Sequence, residues 1–104
     1  MRVVVKYHAV ERARQRLGLT DAAARTRLRR AFTEGVPVPW RVAQRLALMG
    51  GRCASYRNAK HRGRLRVHGG LLVVHHGCNV VTCWPLSLEQ VSGLLVWLMT
   101  GRCV

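Results

Sequence analysis

The spacing of apolar positions changes period along this chain, and the changes mark its elements. Residues 2 to 7, RVVVKY, form a short apolar run that predicts a strand. In HAVERARQRLG, Val10, Ala13 and Leu17 recur at helical spacing and Gly18 ends the pattern, so a short helix is expected over 8–18. Thr20 caps a second helix, DAAARTRLRRAF, with Asp21 in its positive first turn. Its apolar side is Ala24, Leu28, Ala31 and Phe32; its other faces carry Arg25, Arg27, Arg29 and Arg30. EGVPVP breaks the chain. Pro39 then suits the first turn of a third helix, PWRVAQRLALM, ended by Gly50 and Gly51. Residues 52–63 read as a basic loop with a short strand near 53–57.

Beyond residue 63 the period becomes two. RLRVH alternates, Gly69-Gly70 makes a two-residue hairpin turn, and LLVVHH follows. A second turn at GCN leads into VVTCW, which Pro85 stops. Ser87 and Gln90 form a capping box for a last helix, LEQVSGLLVWLMT. The expected order is β-α-α-α-β-β-β-α. This is an α+β fold in which an antiparallel sheet of about four strands packs with N-terminal helices and one C-terminal helix. At 104 residues the chain has the size of one domain, 1–104.

The turns also predict which side chains share a face. The Gly69-Gly70 turn sets His68 opposite Leu71, Arg66 opposite Val73 and Arg64 opposite His75. The second turn sets His75 opposite Val80 and Val73 opposite Thr82. One face then holds Arg64, Arg66, His68, Leu71, Val73, His75, Val80, Thr82 and Trp84. The other holds Leu65, Val67, Leu72, Val74, His76, Asn79, Val81 and Cys83 and is the core face through its middle. His75 and His76 therefore point to opposite sides, with His76 structural near the turn.

Charge narrows the function. Lys and Arg number 18 against four acidic residues, a net charge of +14. Such self-repulsion is usually matched by a polyanionic partner, with nucleic acid the first candidate and RNA favoured over DNA. Lys6 and Lys60 are the two lysines. The arginine bias suits bidentate phosphate contact, although a GC-rich genome produces the same bias. Candidate phosphate-binding residues are Arg25, Arg29, Arg57, Lys60, Arg62 and Arg64. Cys53, Cys78, Cys83 and Cys103 form no C-x-x-C pair, so free thiols are expected and no metal or cofactor. There is no acidic cluster for a metal-dependent nuclease. The longest apolar run near the C-terminus, about 13 residues, falls short of the ~20 that cross a bilayer, so no membrane partner and a cytoplasmic location are expected.

Cleaving RNA without metal takes a base for the 2′-OH, an acid for the leaving 5′-oxygen and cations for the phosphate. His68 and His75 with Arg64 and Arg66 are candidates for all three roles. The alternative is a solvated sheet face with incidental histidines. In the first helix His8 and Arg12 share one side, away from Val10, Ala13 and Leu17.

YHAVERARQRLGLT resembles the opening of small RelE-like proteins, where a strand leads to an H-A-x-x-R helix, a short turn and a second helix. LLVVHHGCNVVTCW resembles their closing hairpin. That group belongs to a wider set of compact ribonuclease toxins with colicin-type and barnase-like folds. The resemblance covers roughly residues 5–34 and 64–84, and the helix from Pro39 stands as an insertion. It implies a toxin-like, phage- or mobile-element-encoded ribonuclease, with His8, Arg12 and Thr82 at the family's candidate active-site positions. RNA would lie on the sheet face, and an antitoxin is the implied partner.

Two other readings share the same basic faces. One is a non-catalytic nucleic-acid-binding or accessory factor. The other is an inhibitor that binds an acidic protein surface through Trp97 and Met99. In the last helix Val91, Leu94, Leu95 and Leu98 form an expected core stripe. The surplus of Val96, Trp97 and Met99 suggests a homodimer contact, a partner protein or further core packing.

Overall fold

The computed structural model describes residues 2–49 and 63–102. It is an α+β domain in which a five-stranded mixed sheet is packed between helices. In chain order the elements are β1 (Val4–Val5), α1 (Tyr7–Leu17), α2 (Asp21–Glu34), β2 (Val36–Val38), α3 (Trp40–Arg45), β3 (Arg64–His68), β4 (Leu71–His76), β5 (Asn79–Pro85) and α4 (Leu88–Thr100). The sheet order is β1-β5-β4-β3-β2. β2 to β5 pair antiparallel, and β1 lies parallel to β5. The sheet thus has one strand more than expected and is not purely antiparallel.

Local chemistry sets most element ends. Gly18 closes α1 in the left-handed conformation, and its N–H bonds the Arg14 carbonyl. The Thr20 hydroxyl accepts from the Ala23 N–H at the start of α2. Ser87 and Gln90 complete the reciprocal capping box of α4. α3 is shorter than its apolar pattern predicts. Pro39 is its N-cap rather than its first residue, and the chain leaves the helix through Ala47 at φ 51°. The Gln90 side chain donates to the Ala47 carbonyl at 2.7 Å and ties this turn to α4.

The extra strand is β2, from a stretch that reads as a breaker. Pro37 has no N–H, but β2 is an edge strand, and an edge leaves alternate amides without ladder partners. Val36, Pro37 and Val38 align with Val67, Arg66 and Leu65.

The β3–β4 register is as the Gly69-Gly70 turn predicts, from His68 opposite Leu71 to Arg64 opposite His75. The β4–β5 register agrees at His75 opposite Val80 and then shifts. Val74 lies opposite Thr82, and Val73 opposite Cys83, so Val81 is an extra residue, a β-bulge. Beyond the bulge every β5 side chain exchanges faces. Cys83 moves to the Val73 side, and Thr82 and Trp84 move to the Val74 side.

Both faces are covered. Against α1 and α2 lie Leu71, Val73, Val80 and Cys83, packed with Val10, Leu28 and Phe32. Against α3 and α4 lie Leu65, Leu72 and Val74, packed with Val42, Leu48 and Leu94. The face expected to be a basic, accessible surface is therefore covered through its middle by α1 and α2, with Arg64 exposed and Arg66 and His68 half-buried toward its edge. His76, expected on the core side, is exposed.

In α4 the core side also differs from expectation. Leu94 is buried and Val91 and Trp97 are half-buried, whereas Leu95 and Leu98 are 53% and 50% exposed. Trp97 packs on the second core and Met99 is 84% exposed, so these two side chains do not share one surface. No helix among the described residues is long and apolar enough to cross a membrane.

Ser87→Ala removes the acceptor for the Gln90 N–H. It is expected to lower stability by about 1 kcal/mol, read as a lower urea midpoint with an unchanged m-value.

Candidate functional site

The expected site residues separate into four places. His8 and Arg12 lie on the outer side of α1, where the Arg12 Nε donates to His8 Nε2 at 3.4 Å. Thr82 is buried on the α3–α4 side of the sheet and 6% exposed. The bulge removes it from the face that holds His75. His68 ends β3 and is held by α2. Arg27 NH1 lies 2.9 Å from its Nδ1, and Glu34 lies 3.4 Å from its Nε2. With Arg27 donating to Nδ1, Nε2 carries the proton and faces Glu34. Arg27 also donates to the carbonyls of His68 and Gly69, so the group clamps α2 to the hairpin turn.

Arg64, Arg66 and His75 do come together. Arg64 faces His75 across the β3–β4 pair, and Arg66 is two residues along the same side of β3. His68 is four residues from Arg64, about 13 Å along the strand. The two histidines expected to act as acid and base are therefore well separated.

Phe32 organises this corner. The His75 ring meets it edge-on, with centroids 4.8 Å apart and an interplanar angle of 86°. The Arg66 guanidinium lies 4.9 Å from the Phe32 ring centroid and donates to the Phe32 carbonyl at 2.8 Å. The Arg66 Nε is buried without a hydrogen-bond partner. His75 is 5% exposed, and its Nδ1 lies 2.9 Å from the Gly77 carbonyl. Burial lowers the His75 pKa from the usual imidazole value. The Gly77 carbonyl opposes the shift, while Arg66, Arg64 and His76 add to it. The ring is therefore neutral near pH 7.

These three residues line a cavity of about 680 Å³ at the β2–β3 edge, together with Pro37, Pro39, Trp40, Arg41 and Trp97. Trp40 Nε1 donates to the Gly63 carbonyl at 2.9 Å, which fixes its indole. The described lining holds three arginines, two tryptophans and no carboxylate. Trp40, Arg41 and Trp97 are members that periodicity does not reveal. They reach the pocket because β2 adds a strand and α3 and α4 cover the adjacent face.

Among the other expected phosphate contacts, Arg25 pairs with Asp21 at 2.8 Å on α2, and Arg29 is exposed on the same helix. Arg57, Lys60 and Arg62 lie outside the described residues, as does the strand expected near 53–57. Among the described residues no three His, Cys, Asp or Glu side chains converge as metal ligands. Of the described cysteines, Cys83 is a buried free thiol and Cys78 is half-buried. Burial pushes the Cys83 pKa up to about 11, against the opposing pull of Arg16 and Arg27.

Comparison with protein-family models, curated proteins and solved structures yields no match to this chain.

The lowered His75 pKa makes protonation oppose folding. The unfolded chain takes up the proton near the ordinary value of about 6.5, so stability is lost as pH falls below it. Denaturant titrations between pH 7.5 and 5 are expected to show this loss, and His75→Gln is expected to reduce it. An unchanged pH slope in the variant would assign the loss to other groups.

Proposed function

We propose that this protein binds single-stranded nucleic acid, RNA in preference to DNA, with the β2–β3 edge pocket as a nucleotide-binding point. The observation that carries this reading is the pocket's composition. Three arginines supply charge to a phosphate, and two indoles supply flat apolar surface to a base. Unstacked bases of the kind RNA loops present are the ligands such surfaces take. The net charge of +14 adds a sequence-independent attraction at longer range.

A metal-independent ribonuclease acting by 2′-OH attack is the second reading, and one observation favours it. His75 is a neutral imidazole beside Arg64 and Arg66 in the same pocket, which pairs a base with phosphate-stabilising cations. The acid for the leaving 5′-oxygen has no second histidine at this point, because His68 is clamped at the far end of β3. Binding is the better supported of the two.

Fluorescence anisotropy with a labelled single-stranded RNA over a salt series tests both. Arg64→Ala is expected to weaken binding and flatten the log K against log salt slope by about 0.7, and Arg41→Ala with Arg64→Ala by about 1.4. An unchanged slope in the double variant would remove the pocket from the interface. The same RNA, incubated in chelator, reports cleavage. Intact RNA under binding conditions sinks the ribonuclease reading. Cleavage that His75→Gln abolishes, with binding retained, establishes it.

A further inference from the structure

α4 presents a second surface, unlike the rest of the molecule. Leu88, Leu95 and Met99 fall on one stripe of the helix at spacings of seven and four, with Leu98 beside them. They are 87%, 53%, 84% and 50% exposed. Trp97 lies on the opposite side of the helix and Leu94 on its flank, and these two supply its contact with the second core. The stripe is therefore surplus to the fold.

Charge identifies what fits it. The chain holds 18 basic residues, yet none falls in the 13 residues of α4. Nucleic acid gains little along this stripe, because α4 itself supplies no cation to meet a phosphate and Arg102 lies beyond its end. An acidic protein would find its charges unanswered for the same reason. A second copy of this chain carries the same +14 charge, and α4 is an element through which two copies can meet without either helix bringing a cation of its own.

We propose that α4 pairs antiparallel with the α4 of a second copy, about a two-fold axis near Leu95. A two-fold contact uses one patch twice, so the patch must complement itself. This one does. Glu89 lies six residues before Leu95, and Arg102 seven after, both exposed. Antiparallel pairing centred there brings the Glu89 end of each helix to the Arg102 end of the other. It also opposes the two helix dipoles. The apolar stripes meet between these charged ends.

Sedimentation velocity on nuclease-treated protein, from micromolar to millimolar concentration, tests this. The expected result is a concentration-dependent rise from the 11.7 kDa monomer toward twice that mass. Leu95→Lys should keep the protein monomeric throughout with an unchanged thermal melt at low concentration. Glu89→Arg alone should weaken the dimer, and adding Arg102→Glu should restore it. A monomer at every concentration overturns the proposal. So does a dimer that Leu95→Lys leaves intact, or one that the charge exchange does not restore. RNA affinity is measured separately, so loss of the dimer and failure of the pocket reading give different results.

Discussion

Every β4 side chain from Leu71 to His75 is buried, so the central strand has no solvent face. This constraint governs the rest of the structure. A strand buried on both sides needs helices over both sides, and α1 with α2 and α3 with α4 supply them. Polar side chains on this strand and its neighbours must then leave by an edge or find partners inside. Arg66 and His75 do both: they pack against Phe32 and line the cavity at the β2–β3 edge. The site lies at the rim of the sheet because its middle is closed.

That closure was partly legible in the residues. LLVV is a continuous apolar run rather than an alternating one, and such runs mark strands covered twice. RLRVH alternates and suggested an open face. On β3, however, only Arg64 is exposed; Arg66 and His68 are taken up by α2 through the Phe32 carbonyl, Arg27 and Glu34. Long side chains with several donors can alternate with apolar residues and still lie under a helix.

The elements that sequence reading placed best are those bounded by local chemistry. The Gly69-Gly70 turn and the Ser87–Gln90 box set their neighbours within a few residues. β2 and the Val81 bulge escaped for the opposite reason. β2 is three residues long, contains a proline and exists through pairing with β3, which lies far along the chain. The bulge has no glycine to mark it in VVTCW, and its position is set by how β5 packs between two layers. One extra residue there moved Thr82 across the sheet, away from the face that holds His75. The pocket was read through Arg64, Arg66 and His75. Its indoles were not, because Trp40 and Trp97 arrive from two helices that no periodicity connects.

The sheet's two rims have a consequence for the life of the chain in a crowded solution. The molecule carries valine-rich strands of the sort that stack into fibres when their borders are open. One border is Val36–Val38, where Pro37 interrupts the row of donors; the other is the two-residue strand Val4–Val5. Neither offers an incoming strand a continuous ladder to extend. Growth by strand addition is thus blunted at both ends of the sheet, and a sequence so rich in β-forming residues keeps its sheet finite.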